Sequence, residues 1–147
     1  MHELAKHLIE TFNKHIYNIG KTNEFGSSFK YNSIFLGLLE DKEDKEFVVV
    51  EEFNSGVFKK YVNNDGTLVN GEAGDLELKL KAECLCHYTY TRSEEKLLLL
   101  DIQGAGFVLF DPEIATSADA FSDGSLKFCL GNLSSNAIDM FYHMSCI

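Results

Sequence analysis

The stretch "LLLLDIQGAGFVLFDP", residues 97–112, constrains the fold more than any other. Four leucines run directly into Asp101, a second apolar run leads to Asp111, and the stretch closes on the only proline in the chain. Short apolar runs bounded by turn residues read as buried strands. Burying strands beside two carboxylates is costly unless something positive offsets the desolvation. The fold must therefore place a partner between Asp101 and Asp111.

Composition limits what that partner serves. At 147 residues and 45% hydrophobic content the chain is globular and long enough for one core. Thirteen basic residues against 23 acidic ones give a net charge of −10, which argues against a reader of the phosphate backbone and so against a nucleic-acid partner. "EDKEDKE" (40–46) and the paired glutamates read as mixed or solvated turns. No apolar run approaches the roughly 20 residues needed to span a bilayer, and "MHELAKHLIE" carries no signal-peptide pattern. Cys84, Cys86, Cys129 and Cys146 form no CxxC pair, which fits reduced thiols in a cytoplasmic protein with no membrane partner.

Periodicity outlines one α+β domain. Leu4, Ala5, Leu8, Ile9, Phe12 and Ile16 fall at helical spacing, predicting a helix over 4–17 that Gly20 stops, with a loop after it. "SIFLGLL" and "EFVVVEEF" read as a β-hairpin across a charged turn, and "NSG" and "NNDG" as tight turns. "DLELKLKAECLC" is ambiguous: its alternation favours a strand, its residue types a helix. "HYTYT" and "KLLLLD" around "RSEE" predict a second hairpin, residues 86–91 antiparallel to 96–101. "SSNAIDMFYHM" predicts a closing helix capped by Ser134 or Ser135.

Several of these segments together resemble a known family. "CHYTYTRSEEKLLLLDIQGAGFVLFDPEI" and "FCLGNLSSNAIDMF" are similar to the C-terminal lobe of the alpha-kinases, atypical serine/threonine protein kinases. "VVEEFNSGVFKKYVNNDG" is similar to the family's E-x-x-x-x-G-x-F-x-K-Y-x-N-N-x-G hinge segment, and "LAKHLIETFNKHI" to its A-x-x-F-N-K helix. The resemblance implies a kinase-like C-lobe with a helix across 75–84, ATP as nucleotide and Mg²⁺ as metal. It puts Asp101 at the catalytic base, Gln103 and Asp111 at the Mg²⁺ ligands, and Glu51, Lys60 and Asn64 at the nucleotide. Gly131 and Asn132 fall in the glycine-rich loop near the peptide substrate. Phosphoryl transfer calls for such groups: a carboxylate to orient the attacking hydroxyl, and hard oxygens for a cation that spreads charge off the phosphate. Glu51 also reads as an ordinary strand-end charge, and Lys60 beside Lys59 as a solvated pair.

Departures from the pattern set further expectations. The family's phosphate-binding lysine lies upstream of the first helix, where this chain begins, so residues 1–147 are expected to form hinge and C-lobe without an N-lobe. Losing that cation costs about 10³-fold or more in transfer. The chain alone is therefore expected to be inactive, a pseudokinase or interaction module; the alternative is an active kinase completed by missing sequence or a partner chain. The resemblance implies that the hairpin packs on the N-lobe, so association with a protein partner or a second copy is expected. Ser134 stands where the family usually has glycine, and Phe110 where it has threonine. Of the family's zinc site the chain keeps His87, His143 and Cys146 as a possible remnant with altered spacing, so zinc is not expected.

Overall fold

The computed structural model describes residues 1–40, 45–70, 75–120, 128 and 131–145. Helix α1 (His2–Asn18) buries Ala5, Ile9 and Phe12, three members of the expected helical stripe. It ends as Gly20 promises: Gly20, at φ 72, donates to Tyr17 O, and Lys21 N donates to Ile16 O. That pair of bonds is the Schellman ending, which needs a residue in the left-handed region. The following loop contains one helical turn, α2 (Thr22–Phe25), held down by Phe25 packing edge-on against Phe12 at 5.4 Å.

Strands β2 (Ile34–Leu39) and β3 (Glu46–Glu51) pair antiparallel as the expected hairpin, with Ile34 opposite Glu51. Residues 41–44 of the charged turn, and 71–74 before the next helix, lie outside the described residues.

The expected strand at 86–91 is not there. Residues 76–92 form one helix, α3 (Leu76–Arg92), which takes in the helix expected across 75–84 and continues through "HYTYT". Ala82, Leu85, Cys86 and Thr89 are buried along it, a spacing of three and four that only a helix aligns. Thr and Tyr alternation imitates a strand locally, but tertiary burial decides.

The strand 97–100 therefore finds another partner. β5 (Leu97–Leu100) pairs antiparallel with β8 (Glu113–Thr116), and Leu98, Leu99 and Leu100 are fully buried. Burial of each leucine is worth about 1.5–3 kcal/mol before entropy. Between them run β6 (Gln103–Ala105) and β7 (Val108–Leu109), paired with each other. The pairing keeps one register throughout, Leu97 opposite Thr116 and Ala105 opposite Val108. Residues 97–116 are thus a single long hairpin whose base is the β5–β8 ribbon. Its tip joins a four-stranded sheet ordered β1 (Lys30–Tyr31), β7, β6, β4 (Phe58–Lys60), in which β1 runs parallel to β7.

Helix α4 (Ser135–Met144) covers β8 and buries Ala137, Ile138 and Phe141. No helix among the described residues is long and apolar enough to cross a membrane. Ser134 occupies the N-cap position, but its hydroxyl does not cap the helix; it donates to Thr116 O at 2.9 Å. Its backbone sits at φ 54, ψ −142. That conformation suits glycine and costs a side chain of order 1–3 kcal/mol, against about 1 kcal/mol for the hydrogen bond. Ser134→Gly is expected to raise stability by about 1 kcal/mol and the melting temperature by roughly 3 °C. A scanning-calorimetry midpoint at or below wild type would contradict the strain.

Candidate active site

Asp101 and Asp111 are the two corners of the long hairpin, where each strand passes from the buried ribbon into the sheet. Both have φ 52, in the left-handed region that short polar side chains enter more readily than others. Continuing the register sets Asp101 opposite Pro112 and Asp111 opposite Ile102, so the two aspartates are diagonal neighbours across the ribbon.

Gln103 ties the corners together. Its buried Nε2 donates to Asp101 Oδ2 at 3.0 Å and to Asp111 O at 3.2 Å. Lys60, opposite Gln103 on β4, places Nζ 2.5 Å from Asp101 Oδ1. What sits beside Asp101 is therefore an ammonium and an amide, one on each carboxylate oxygen, which offsets the desolvation of a carboxylate that is 7% exposed. Lys59, read with Lys60 as a solvated pair, forms an ion pair with Asp75 instead.

The rest of the donor set faces outward. Gln103 Oε1 accepts no hydrogen bond among the described residues, and the exposed Asp111 carboxylate makes no ion pair among them. These two hard oxygens suit a cation that brings waters or phosphate oxygens with it, as Mg²⁺ does. They do not form an all-protein cage: no group of three or more His, Cys, Asp or Glu gathers among the described residues. Beneath the corners lies Tyr31, 4% exposed, whose hydroxyl has no hydrogen-bond partner among the described residues. Burial pushes its phenol up, and the charges of Cys86, Asp101 and Asp111 push it further.

Glu51, at the exposed end of β3, lines two cavities. One of about 570 Å³ runs to Asp111 and includes His2 and Phe110; its lining contains no lysine or arginine side chain among the described residues. The other, about 250 Å³, lies between Glu51, Phe53, Asn54 and Phe110. A third, of about 550 Å³, lies on the β4 side against Lys59, Lys60 and Lys79, two of which are already paired with carboxylates. Asn64 lines none of these. It lies in the Asn63–Thr67 turn, where Gly66 packs so closely on α4 that a Cβ would come 2.1 Å from Ala137 O.

Gly131 and Asn132 are bound to β8 rather than open. A Cβ on Gly131 would strike the Glu113 carboxylate at 2.6 Å. Buried Asn132 accepts from Thr116 N at 3.1 Å and from Ser134 N at 2.9 Å, and its Nδ2 donates to Thr116 Oγ1 at 2.9 Å. Asn132 therefore positions the segment two to five residues beyond Asp111, a role its motif does not reveal.

His87 reaches the last helix, but as part of a packed cluster. Its ring lies 5.0 Å from both Phe141 and Tyr142, and Nε2 lies 2.5 Å from Ser145 Oγ. Cys86, the residue before His87, is a core residue of α3, with burial raising its thiol well above the ordinary value. His143 is exposed, and Cys146 lies outside the described residues. The described donors do not fit a zinc site.

The sequence model of the alpha-kinase family matches residues 1–146. Human "Eukaryotic elongation factor 2 kinase" is 33% identical over 89 residues, covering 60% of this chain and 12% of that protein. "Alpha-protein kinase 2" of Danio rerio is 31% identical over 138 residues, covering 93% of this chain and 6% of its own length. Among solved structures, the apoenzyme alpha-kinase domain of myosin-II heavy chain kinase A superposes with a TM-score of 0.77 at 22% identity, covering 99% of this chain and 51% of that one. The same kinase domain has been solved with adenosine and, as an inactive variant, with ATP. The chain thus spans a small part of those curated relatives and about half of the solved domain.

Burial holds His87 below the ordinary histidine value, with Glu83 opposing that shift. A depressed value means that the folded state binds the proton less well. The contribution is present above the ordinary value, near 6.5, and is lost as pH falls through the depressed one. Between pH 7.5 and pH 5.5 the melting temperature of wild type is expected to fall further than that of His87→Gln. Parallel curves would mean that the α3–α4 contact does not sense the proton.

Proposed function

The chain belongs to the alpha-kinase family, and we propose that it contributes the carboxylate-bearing half of an ATP-dependent protein serine/threonine phosphotransfer site. In this reading it is inactive alone and serves as an interaction module. Asp101 orients the attacking hydroxyl, Gln103 Oε1 and Asp111 take Mg²⁺, and Glu51 marks the end of the cleft where the base lies. When bound, Mg²⁺ spreads charge off the transferring phosphate.

One observation carries the reading of inactivity. Among the described residues, the cavity that joins Glu51 to Asp111 has no lysine or arginine side chain in its lining, and Lys60 on β4 is bound to Asp101. Triphosphate entering this site meets two carboxylates in a protein of net charge −10, and a partly desolvated setting magnifies the repulsion. Lys60 also holds one oxygen of the base that must accept a proton. The second reading, an active kinase completed by further sequence or a partner chain, is favoured by the joint retention of Asp101, Gln103, Asp111, Glu51 and Lys60. Radiolabelled ATP with a protein substrate separates the two. The 147-residue chain is expected to incorporate no more label than Asp101→Ala, and to bind ATP only in the high micromolar range or worse. Incorporation by wild type that the variant lacks would favour the second reading.

The surface for partners in this proposal is the β2–β3 ribbon. Phe35 and Leu36 are neighbours on opposite faces, yet they are 67% and 72% exposed, and Val50 and Val49 across from them are 51% and 66% exposed. A two-stranded ribbon is marginal by itself, and apolar side chains on both faces favour cover by a protein partner or another copy. Wild type is expected to sediment as a concentration-dependent oligomer that Phe35→Lys returns to monomer. A monomer at every concentration would remove self-association and leave only a different protein as partner.

A further inference from the structure

Phe110 stands at an unusual place in the cleft. The two cavities beside the hairpin share two lining residues, Glu51 and Phe110, so these side chains form the wall between about 570 Å³ on one side and about 250 Å³ on the other. The ring is held from two directions. Phe110 N donates to Gln103 O at 3.2 Å, fixing its backbone to the strand that carries the site. Its ring packs on Phe58 of β4, with centroids 5.9 Å apart and planes inclined by 32°. Phe58 pairs with Ala105, so the prop belongs to the same sheet as Gln103. The next residue, Asp111, turns away at φ 52 and leaves the ring at the boundary.

A rigid ring in that position selects by size. Interiors and clefts transmit volume changes with little give, and a pocket wall discriminates most strongly against a group that must displace it. We propose that Phe110 is the specificity-determining residue for the base: it closes the small chamber to the nucleotide, so that an adenine with a bulky N6 substituent is excluded while adenine itself fits. The inference rests on the reading of the cleft as a nucleotide site. It places the base beside Glu51 and the phosphates toward Asp111. Removing the phenyl group joins the chambers and gives the substituent room among Phe53, Asn54 and Asn32. Threonine, which the family pattern has here, leaves the same opening.

The test compares Mg-ATP with Mg-N6-benzyl-ATP by calorimetric titration into wild type, Phe110→Ala and Phe110→Tyr. The readout is the ratio of the two dissociation constants, which a general loss of stability does not move. Wild type and Phe110→Tyr are expected to favour ATP, and Phe110→Ala to shift the ratio toward the benzyl analogue at least tenfold. Phe110→Thr and Phe110→Leu give the same comparison if the alanine variant fails to fold. An unchanged ratio in a folded variant that still binds ATP overturns the role of Phe110 and leaves the nucleotide reading standing. No ATP binding by any of the proteins at millimolar concentration removes both.

Discussion

The amide of Gln103 is the bond-maker on which the site depends. From one buried nitrogen it donates to the carboxylate of Asp101 and to the backbone carbonyl of Asp111. Those two acceptors are the corners at which a single hairpin leaves the buried β5–β8 ribbon and enters the sheet. Each corner is a non-glycine residue in the left-handed region, a conformation that persists only where its surroundings over-determine it. The surroundings are the leucines of β5 below, Lys60 on the flank and the Gln103 bridge between. Strain and charge are concentrated in the same two residues because the same packing that bends the chain there also exposes one carboxylate and buries the other.

Much of this was legible in residue order, for a physical reason. Runs such as "LLLLD" and "EFVVVEE" carry their burial or pairing locally, and a helix with a Gly stop declares both ends. The apolar cost of two aspartates beside buried strands also announced a partner. What residue order did not disclose was which strand pairs with which. The expected pairing of 86–91 with 96–101 failed because Ala82, Leu85, Cys86 and Thr89 gain more from one helical face against the core than "HYTYT" gains from a hairpin. With that partner gone, β5 found β8, sixteen residues on rather than next door. Lys60 and Lys59 looked like one solvated pair because alternation along β4 is invisible until the strand is placed; in the fold each goes to a different aspartate.

The site residues divide in the same way. Asp101, Gln103 and Asp111 were expected to lie together because their motif is compact, and the hairpin register brings compact motifs together without help from distant sequence. Asn132 was placed at a peptide-binding loop by its motif, yet its amide is spent on Thr116 and Ser134. Tyr31 gave no signal at all. Nothing in "FKYNS" shows that its hydroxyl lies buried beneath two carboxylates, since only the parallel pairing of β1 with β7 carries it there.

The unbroken register of the long hairpin also restricts which insertions and deletions this chain can absorb. One residue added or lost between Gln103 and Phe110 would turn every side chain after it to the other face. Phe110 would leave the cleft wall, and Asp111 would no longer stand diagonal to Asp101. Two residues added at the Gly106–Phe107 tip would lengthen the ribbon and leave both corners in step. Length variation in this segment is therefore confined to even steps at the tip, and the separation of the two aspartates acts as a ruler set by the pleat of the strand rather than by the chemistry it serves.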